Sequence, residues 1–255
     1  MRTKENGLTK VVLFPTCLAS LLFPRAAEAA RRVLERAGCE VESRDGAVCC
    51  GQPAWNSGHV DDARRVAAGA VDSLDGPEPV ILCSGSCTTM VSHYWPQLFA
   101  GTDREEAAHD VASRAREFTS FLVDEVNKDA LGALRAEPER AVVYHDSCHM
   151  LRGLGLSDEP RELLRGVERL QVNRLDAQER CCGFGGTFAL RYPELSSVMA
   201  DEKVDDVLDS GAEEVVASDM GCLMQIGGRA EERGINLRCR YIAEILDESW
   251  IGPDG

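Results

Sequence analysis

Eight of the eleven cysteines in this 255-residue chain fall into two sets with one spacing. The first set is Cys17, then Cys49-Cys50-Gly51, then Cys87 at the end of Gly85-Ser86-Cys87. The second is Cys148, then Cys181-Cys182-Gly183, then Cys222 directly after Gly221. Between the single cysteine and the pair lie 31 and 32 residues, and between the pair and the last cysteine 36 and 39. The surroundings repeat as well. Lys10-Val11-Val12-Leu13-Phe14-Pro15-Thr16-Cys17 aligns with Ala141-Val142-Val143-Tyr144-His145-Asp146-Ser147-Cys148, and Gly76 and Gly211 each stand 11 positions before the last cysteine of their set. Two registered copies of a four-cysteine pattern mark an internal duplication.

Thiolates are soft donors, and four together select zinc, copper(I) or an iron-sulfur cluster. Small zinc modules clamp their ion with Cys-x-x-Cys knuckles, and the sequence contains none. Ligands drawn from three separate segments, one with an adjacent pair, suit a multi-iron body with widely spaced corners. A glycine beside the pair lets backbone N–H groups approach inorganic sulfides, where hydrogen bonds tune reduction potential. Cys181-Cys182-Gly183-Phe184-Gly185-Gly186 has that character most strongly. The bland alternative is that these cysteines are small buried apolar residues, but register between two copies argues for ligands. Cys39 follows Gly38 at a helix-to-strand junction and Cys239 sits in the alternation Leu237, Cys239, Tyr241, so both read as core filler.

Other polar residues flank the sets. His145 and His149 bracket Cys148 as candidates for a proton relay or an alternative ligand, since imidazole titrates near neutrality. Their counterparts are Phe14 and Leu18, so the duplicated scaffold does not require them, and a hydrogen bond to a ligand is favoured over ligation. Arg152 is suited to offset thiolate charge or meet a substrate carboxylate, or is a plain surface arginine. Trp55 and Trp95 read as core or interface aromatics.

The elements that must position these residues alternate. Arg25 to Ala37 forms an amphipathic helix opened by Pro24 and closed by Gly38, and Pro160-Arg161 opens its counterpart. Val60, Ala63, Ala67, Ala70 and Leu74 recur at helical spacing up to Gly76. Strand, helix, strand, helix, strand in each half predicts an α/β fold of two pseudo-symmetric domains, 8-100 and 138-250, each with a small, mostly parallel sheet. In such sheets functional groups gather at the carboxyl edge, where Cys17, Cys87, Cys148 and Cys222 follow apolar runs. Residues 101-137 join the domains, with one helix expected over 105-127, a flexible boundary in DALGALRAEPER, and a fraying tail in IGPDG.

Composition narrows the class. An apolar fraction of 44% excludes a disordered or collagen-like chain, and 255 residues bury enough surface to need no disulfide. The net charge of −15 argues against nucleic acid and anionic membranes. The polar N-terminus and the interrupting Pro15 and Pro24 give neither signal peptide nor span, so the chain reads as cytoplasmic. No dinucleotide fingerprint, P-loop, local Ser/His/Asp signature or run of four closely spaced ferredoxin cysteines is present.

The segments FPTC at Cys17, CCGQPAWNSG from Cys49, SGSC ending at Cys87, YHDSCHMLRGLG from Tyr144, CCGFGG from Cys181 and GCLMQIGGR from Gly221 resemble the cysteine-rich CCG domain. That domain occurs in heterodisulfide reductase and in iron-sulfur subunits of glycolate oxidase and glycerol-3-phosphate dehydrogenase. The chain is most similar to the lactate utilization protein A (LutA/YkgE) family, over roughly residues 8 to 247. The resemblance implies an iron-sulfur electron-transfer subunit of an L-lactate-oxidising system, an oxidoreductase acting with a ferredoxin-type iron-sulfur protein and a third small subunit. It further implies one cluster on Cys17, Cys49, Cys50 and Cys87 and another on Cys148, Cys181, Cys182 and Cys222. Heterodisulfide reductase modules carry a fifth cysteine three positions before the last, where this chain has Ser84 and Asp219. Four cysteines per half fit an ordinary [4Fe-4S] cluster and put disulfide cleavage in doubt; Cys83 is displaced by one and is at most an extra or alternative ligand of the first cluster. The alternatives are a glycolate or glycerol-3-phosphate oxidising complex, a thiol redox protein and a zinc-stabilised scaffold.

Overall fold

The computed structural model describes residues 9–44, 49–126 and 131–252. Outside them lie the polar N-terminal segment 1–8, the last position of the expected 105-127 helix, the start of the expected flexible boundary, and most of the fraying tail. The chain divides into two compact units, residues 1–130 and 131–255.

The first unit is built on a parallel sheet of order β2-β1-β3-β4, from Thr9–Phe14, Cys39–Ser43, Val80–Leu82 and Ala115–Glu117 in chain order of β1 to β4. The central strands β1 and β3 are buried runs of Val, Leu, Ile and Phe, as strands covered on both faces must be. Helices α1 (Cys17–Leu22) and α2 (Pro24–Arg36) join β1 to β2, and α3 (Gln52–Asn56) and α4 (Val60–Ser73) join β2 to β3. Proline at the first position of α2 costs no hydrogen bond, and Gly38 after its end takes φ +82°, which closes it as expected. After β3 come α5 (Gly85–Thr89), a π-helical turn (Met90–Tyr94), α6 (Trp95–Leu98), α7 (Glu105–Arg114), β4 and α8 (Phe118–Asp124).

The second unit repeats the order as β6-β5-β7-β8, again all parallel, from Arg135–Tyr144, Glu168–Asn173, Glu214–Ala217 and Arg238–Tyr241 as β5 to β8. A π-helical turn (His149–Leu154) and α9 (Asp158–Arg165) follow β5; α10 (Phe188–Arg191) and α11 (Pro193–Asp209) follow β6; α12 (Met220–Glu232) follows β7; α13 (Ile242–Glu248) follows β8. The duplicated α/β architecture is therefore present, with a fourth strand in each sheet beyond the three expected.

Two local expectations are corrected. The helix expected over 105-127 is broken into α7, β4 and α8, because residues 115–117 pair with β3 and the buried Glu117 carboxylate then accepts from Thr119 N (2.7 Å) and Ser120 N (3.2 Å), starting a new helix. Within the boundary expected to be flexible, residues 135–140 belong to β5. The segment 101–137 is thus divided between the two units.

Candidate functional site

Each cysteine of the two sets sits at the carboxyl edge of its sheet. Cys17 opens α1 three residues beyond β1, and Cys87 lies in α5 just after β3. Cys148 precedes the π-helical turn after β5, and Cys222 lies in the first turn of α12 after β7. Seating these cysteines at helix starts is the work of two caps. Ser84 Oγ accepts from Cys87 N at 3.4 Å, and Asp219 Oδ1 accepts from Gly221 N at 3.2 Å. The two positions where a fifth cysteine stands in heterodisulfide reductase modules are therefore helix caps here.

The adjacent pairs are held by their glycines. Gly51 and Gly183 take φ +84° and +85°, and a Cβ on either would lie 2.7 Å from a carbonyl oxygen, of Ala63 in α4 or Ser196 in α11. The left-handed turn aims each glycine N–H back at the first cysteine of the pair, Gly51 N to Cys49 Sγ at 3.5 Å and Gly183 N to Cys181 Sγ at 3.4 Å. The second cysteine of each pair turns inward: Cys50 Sγ meets Cys87 Sγ at 3.2 Å, and Cys182 Sγ meets Cys222 Sγ at 3.1 Å. In both sets the single cysteine lies beside the first of the pair, Cys17 beside Cys49 and Cys148 beside Cys181. Each half thus gathers its four predicted sulfurs, the second of each pair and the last cysteine buried, the other two half-buried.

Crowded together, the sulfurs compete for protons. Hydrogen bonds from Cys17 and Cys50, aided by Gly51 N–H, hold Cys49 down at about 3. The same arrangement from Cys148 and Cys182, aided by Gly183, holds Cys181 at about 2. Their partners shift in the opposite direction: bonding to those thiolates and burial push Cys17, Cys148, Cys50 and Cys182 upward. At Cys222 the bond from Cys182 works downward, but burial, Asp219 and Cys181 outweigh it. Four soft sulfur donors gathered in each half are a set that a central cation would stabilise in the thiolate form. An iron-sulfur body or a zinc ion would supply that charge, so the residues fit a thiolate-bound metal group.

The remaining cysteines stand apart in character. Cys39 in β2 and Cys239 in β8 are pushed up by burial to about 11 and about 12, and Cys239 Sγ packs near Gly227. Cys83 is buried at the end of β3 beside the Ser84 cap. His149 Nδ1 lies 3.7 Å from Cys148 Sγ. Arg152 donates to the Glu179 carbonyl at 3.0 Å, tying its turn to the loop that leads into Cys181. His145 is fully buried, with ligand atoms within 4.8 Å of those of Cys182 and Cys222. Burial and then the nearby Lys203 charge push its imidazole down to about 4.

Some supporting residues are not apparent from sequence. Trp95 does more than fill core, since its indole N–H donates to the Cys50 carbonyl at 2.9 Å. Asp146, two positions before Cys148, is buried and clasped by Arg161 at 2.8 and 2.7 Å. Lys203 is a fully buried lysine in α11 that donates to Ala177 O at 2.9 Å and Asp206 at 3.3 Å. The caps were legible in principle, as Ser or Asp at the start of a helical run after a strand. Lys203 left no signal, because a charged residue in a helix ordinarily faces water.

Among known proteins, the family model "CCG: Cysteine-rich domain" matches residues 11–92 and 142–227. "Lactate utilization protein A" of Bacillus velezensis is 42% identical over 239 residues, covering 93% of this chain and 99% of that protein. "Lactate utilization protein A 1" of Bacillus cereus (strain AH820) is 41% identical, covering 93% of this chain and 98% of its own length. "Lactate utilization protein A" of Bacillus cytotoxicus is likewise 41% identical with the same coverage. A solved structure of a hypothetical protein from Helicobacter pylori superposes with a TM-score of 0.57 at 8% identity, over 96% of this chain and 49% of that one. That last likeness is one of fold alone.

Proposed function

The chain belongs to the lactate utilization protein A family of cysteine-rich CCG-domain proteins, and on that premise we propose that it is the iron-sulfur electron-transfer subunit of an L-lactate-oxidising system. The observation that carries this reading is the convergence of four cysteine sulfurs at the same sheet edge in each of two repeats. Cys17, Cys49, Cys50 and Cys87 would hold one [4Fe-4S] cluster, and Cys148, Cys181, Cys182 and Cys222 the other. When bound, such a cluster supplies one-electron transfer at a potential set by its surroundings. Oxidation of lactate to pyruvate releases two electrons and two protons, which matches two one-electron sites in one chain.

The chain's own residues give this role its form. Cys50, Cys87, Cys182 and Cys222 are shielded from water, while Cys17, Cys49, Cys148 and Cys181 face the rim, where an electron can leave to a partner. Exposed apolar side chains lie close in sequence to both rims: Leu21 and Leu22 after Cys17, and Leu190, Tyr192 and Leu195 after the Cys181 loop. Such patches suit docking of partner proteins, here a ferredoxin-type iron-sulfur protein and a third small subunit. No described helix is long and apolar enough to cross a membrane, and the proposed place of work is the cytoplasm. Helix caps at Ser84 and Asp219 favour four-thiolate sites over the five-cysteine arrangement that disulfide cleavage would use.

A strain lacking this chain is expected to lose growth on L-lactate while keeping growth on glucose, and to regain it with the wild-type gene but not with Cys50→Ser or Cys182→Ser. Loss of growth on glycolate or glycerol 3-phosphate instead would assign the chain to one of those complexes.

A further inference from the structure

His145 differs from every other polar group near the two centres. It is 0% exposed, neither Nδ1 nor Nε2 has a hydrogen-bond partner among the described residues, and its ligand atom lies within 4.8 Å of those of Cys182 and Cys222. An imidazole carries at least one N–H in every protonation state. Burying one without a partner is costly, so such a group asks what it faces. Lys203, Asp146, Asp206 and Cys181 are the charged or titratable groups around it. Asp146 is held by Arg161 at 2.7 Å, and Lys203 and Asp206 hold each other at 3.3 Å and bond backbone groups of the loop before Cys181. The charged neighbours are thus each engaged by another group, and the sulfurs of Cys182 and Cys222 lie within 4.8 Å of the ring's ligand atom.

The first repeat provides the contrast. Three residues before Cys17 stands Phe14, fully buried in the apolar cluster that includes Cys50 and Cys87. Ala63 in α4 and Ser196 in α11 both back their CCG glycine, and seven residues further on α4 has Ala70 where α11 has Lys203. One centre is therefore backed by a phenyl ring and a methyl group, the other by an imidazole and an ammonium.

We propose that His145 donates a ring N–H to the sulfur shell of the second centre and makes that centre the easier of the two to reduce. Four thiolates already supply a four-iron cluster with its protein ligands, so the ring is placed as a donor and not as a fifth ligand. A hydrogen bond to a thiolate or sulfide withdraws negative charge and favours the reduced form. His145 is thus a positioning residue for charge, built into one copy of a duplicated scaffold. The inference rests on the reading of both centres as iron-sulfur sites.

The test is a redox titration followed by electron paramagnetic resonance on the anaerobically purified full chain, with iron and sulfide counted on the same samples. Wild type should show two reductive transitions. His145→Phe, which installs the residue the first repeat already packs, should keep the full iron count and move the higher transition to more negative potential, closer to the other. Either His145→Asn or His145→Gln, each retaining an amide donor, should restore part of the difference. If His145→Phe leaves both transitions in place, or loses the iron of one cluster with all three variants, the donor role is wrong. A wild-type chain without iron overturns the cluster reading itself, an outcome distinct from either variant result.

Discussion

At Gly183 a side chain has no room and the backbone no ordinary conformation: φ is +85°, and a Cβ would stand 2.7 Å from the Ser196 carbonyl. Gly183→Ala is expected to cost about 1–2 kcal/mol from the left-handed backbone alone, with the clash added, and to remove the second centre while leaving the first. Metal content and a denaturant midpoint read both effects. Trp95 makes a complementary case at the first centre. Trp95→Phe keeps an aromatic ring but strips the donor from the buried Cys50 carbonyl, with an expected loss of about 1–3 kcal/mol. A chain in which that substitution changes neither stability nor first-centre occupancy would show that the indole bond is incidental. The ligand cysteines themselves were legible in the sequence because duplication wrote them twice in register. Trp95, Lys203 and the Asp146–Arg161 pair were not, because each acts through a contact with residues distant in sequence that one copy alone makes.

The elements place cysteines by means that reach beyond hydrophobic period. Ser84 and Asp219 start the helices that present Cys87 and Cys222, and losing either cap by substitution to Ala is expected to cost about 1 kcal/mol and to lower occupancy of its own centre only. Equal loss from both centres with either variant would mean that the caps stabilise the chain in general. The longer helices α2 and α4 follow their apolar spacing and were legible, ended near Gly38 and Gly76 as the sequence suggests. What the periodicity could not show is β4. Val111, Ala115, Phe118 and Leu122 keep a helical stripe, yet residues 115–117 satisfy the open edge of β3 and Glu117 caps α8 directly after them. A three-residue strand chosen by its neighbour's hydrogen bonds leaves little trace in its own sequence. The same holds for the start of β5, whose Arg, Glu and Pro read as a linker although Arg135 and Arg140 pair with β6 on either side of an irregular stretch.

At the scale of the whole molecule, two units repeat one strand order, each with its own core and its own set of four sulfurs. That organisation predicts independence: damage to one sulfur set should leave the other able to assemble. The central claim is that each unit builds one iron-sulfur site from its four registered cysteines. Iron and acid-labile sulfide per chain, measured on anaerobically purified wild type, Cys50→Ser and Cys182→Ser, test it most directly. The account predicts about eight irons and about eight sulfides in wild type and about four of each in either variant. Zinc without sulfide in the wild-type chain, or a variant that keeps the full count, would contradict it.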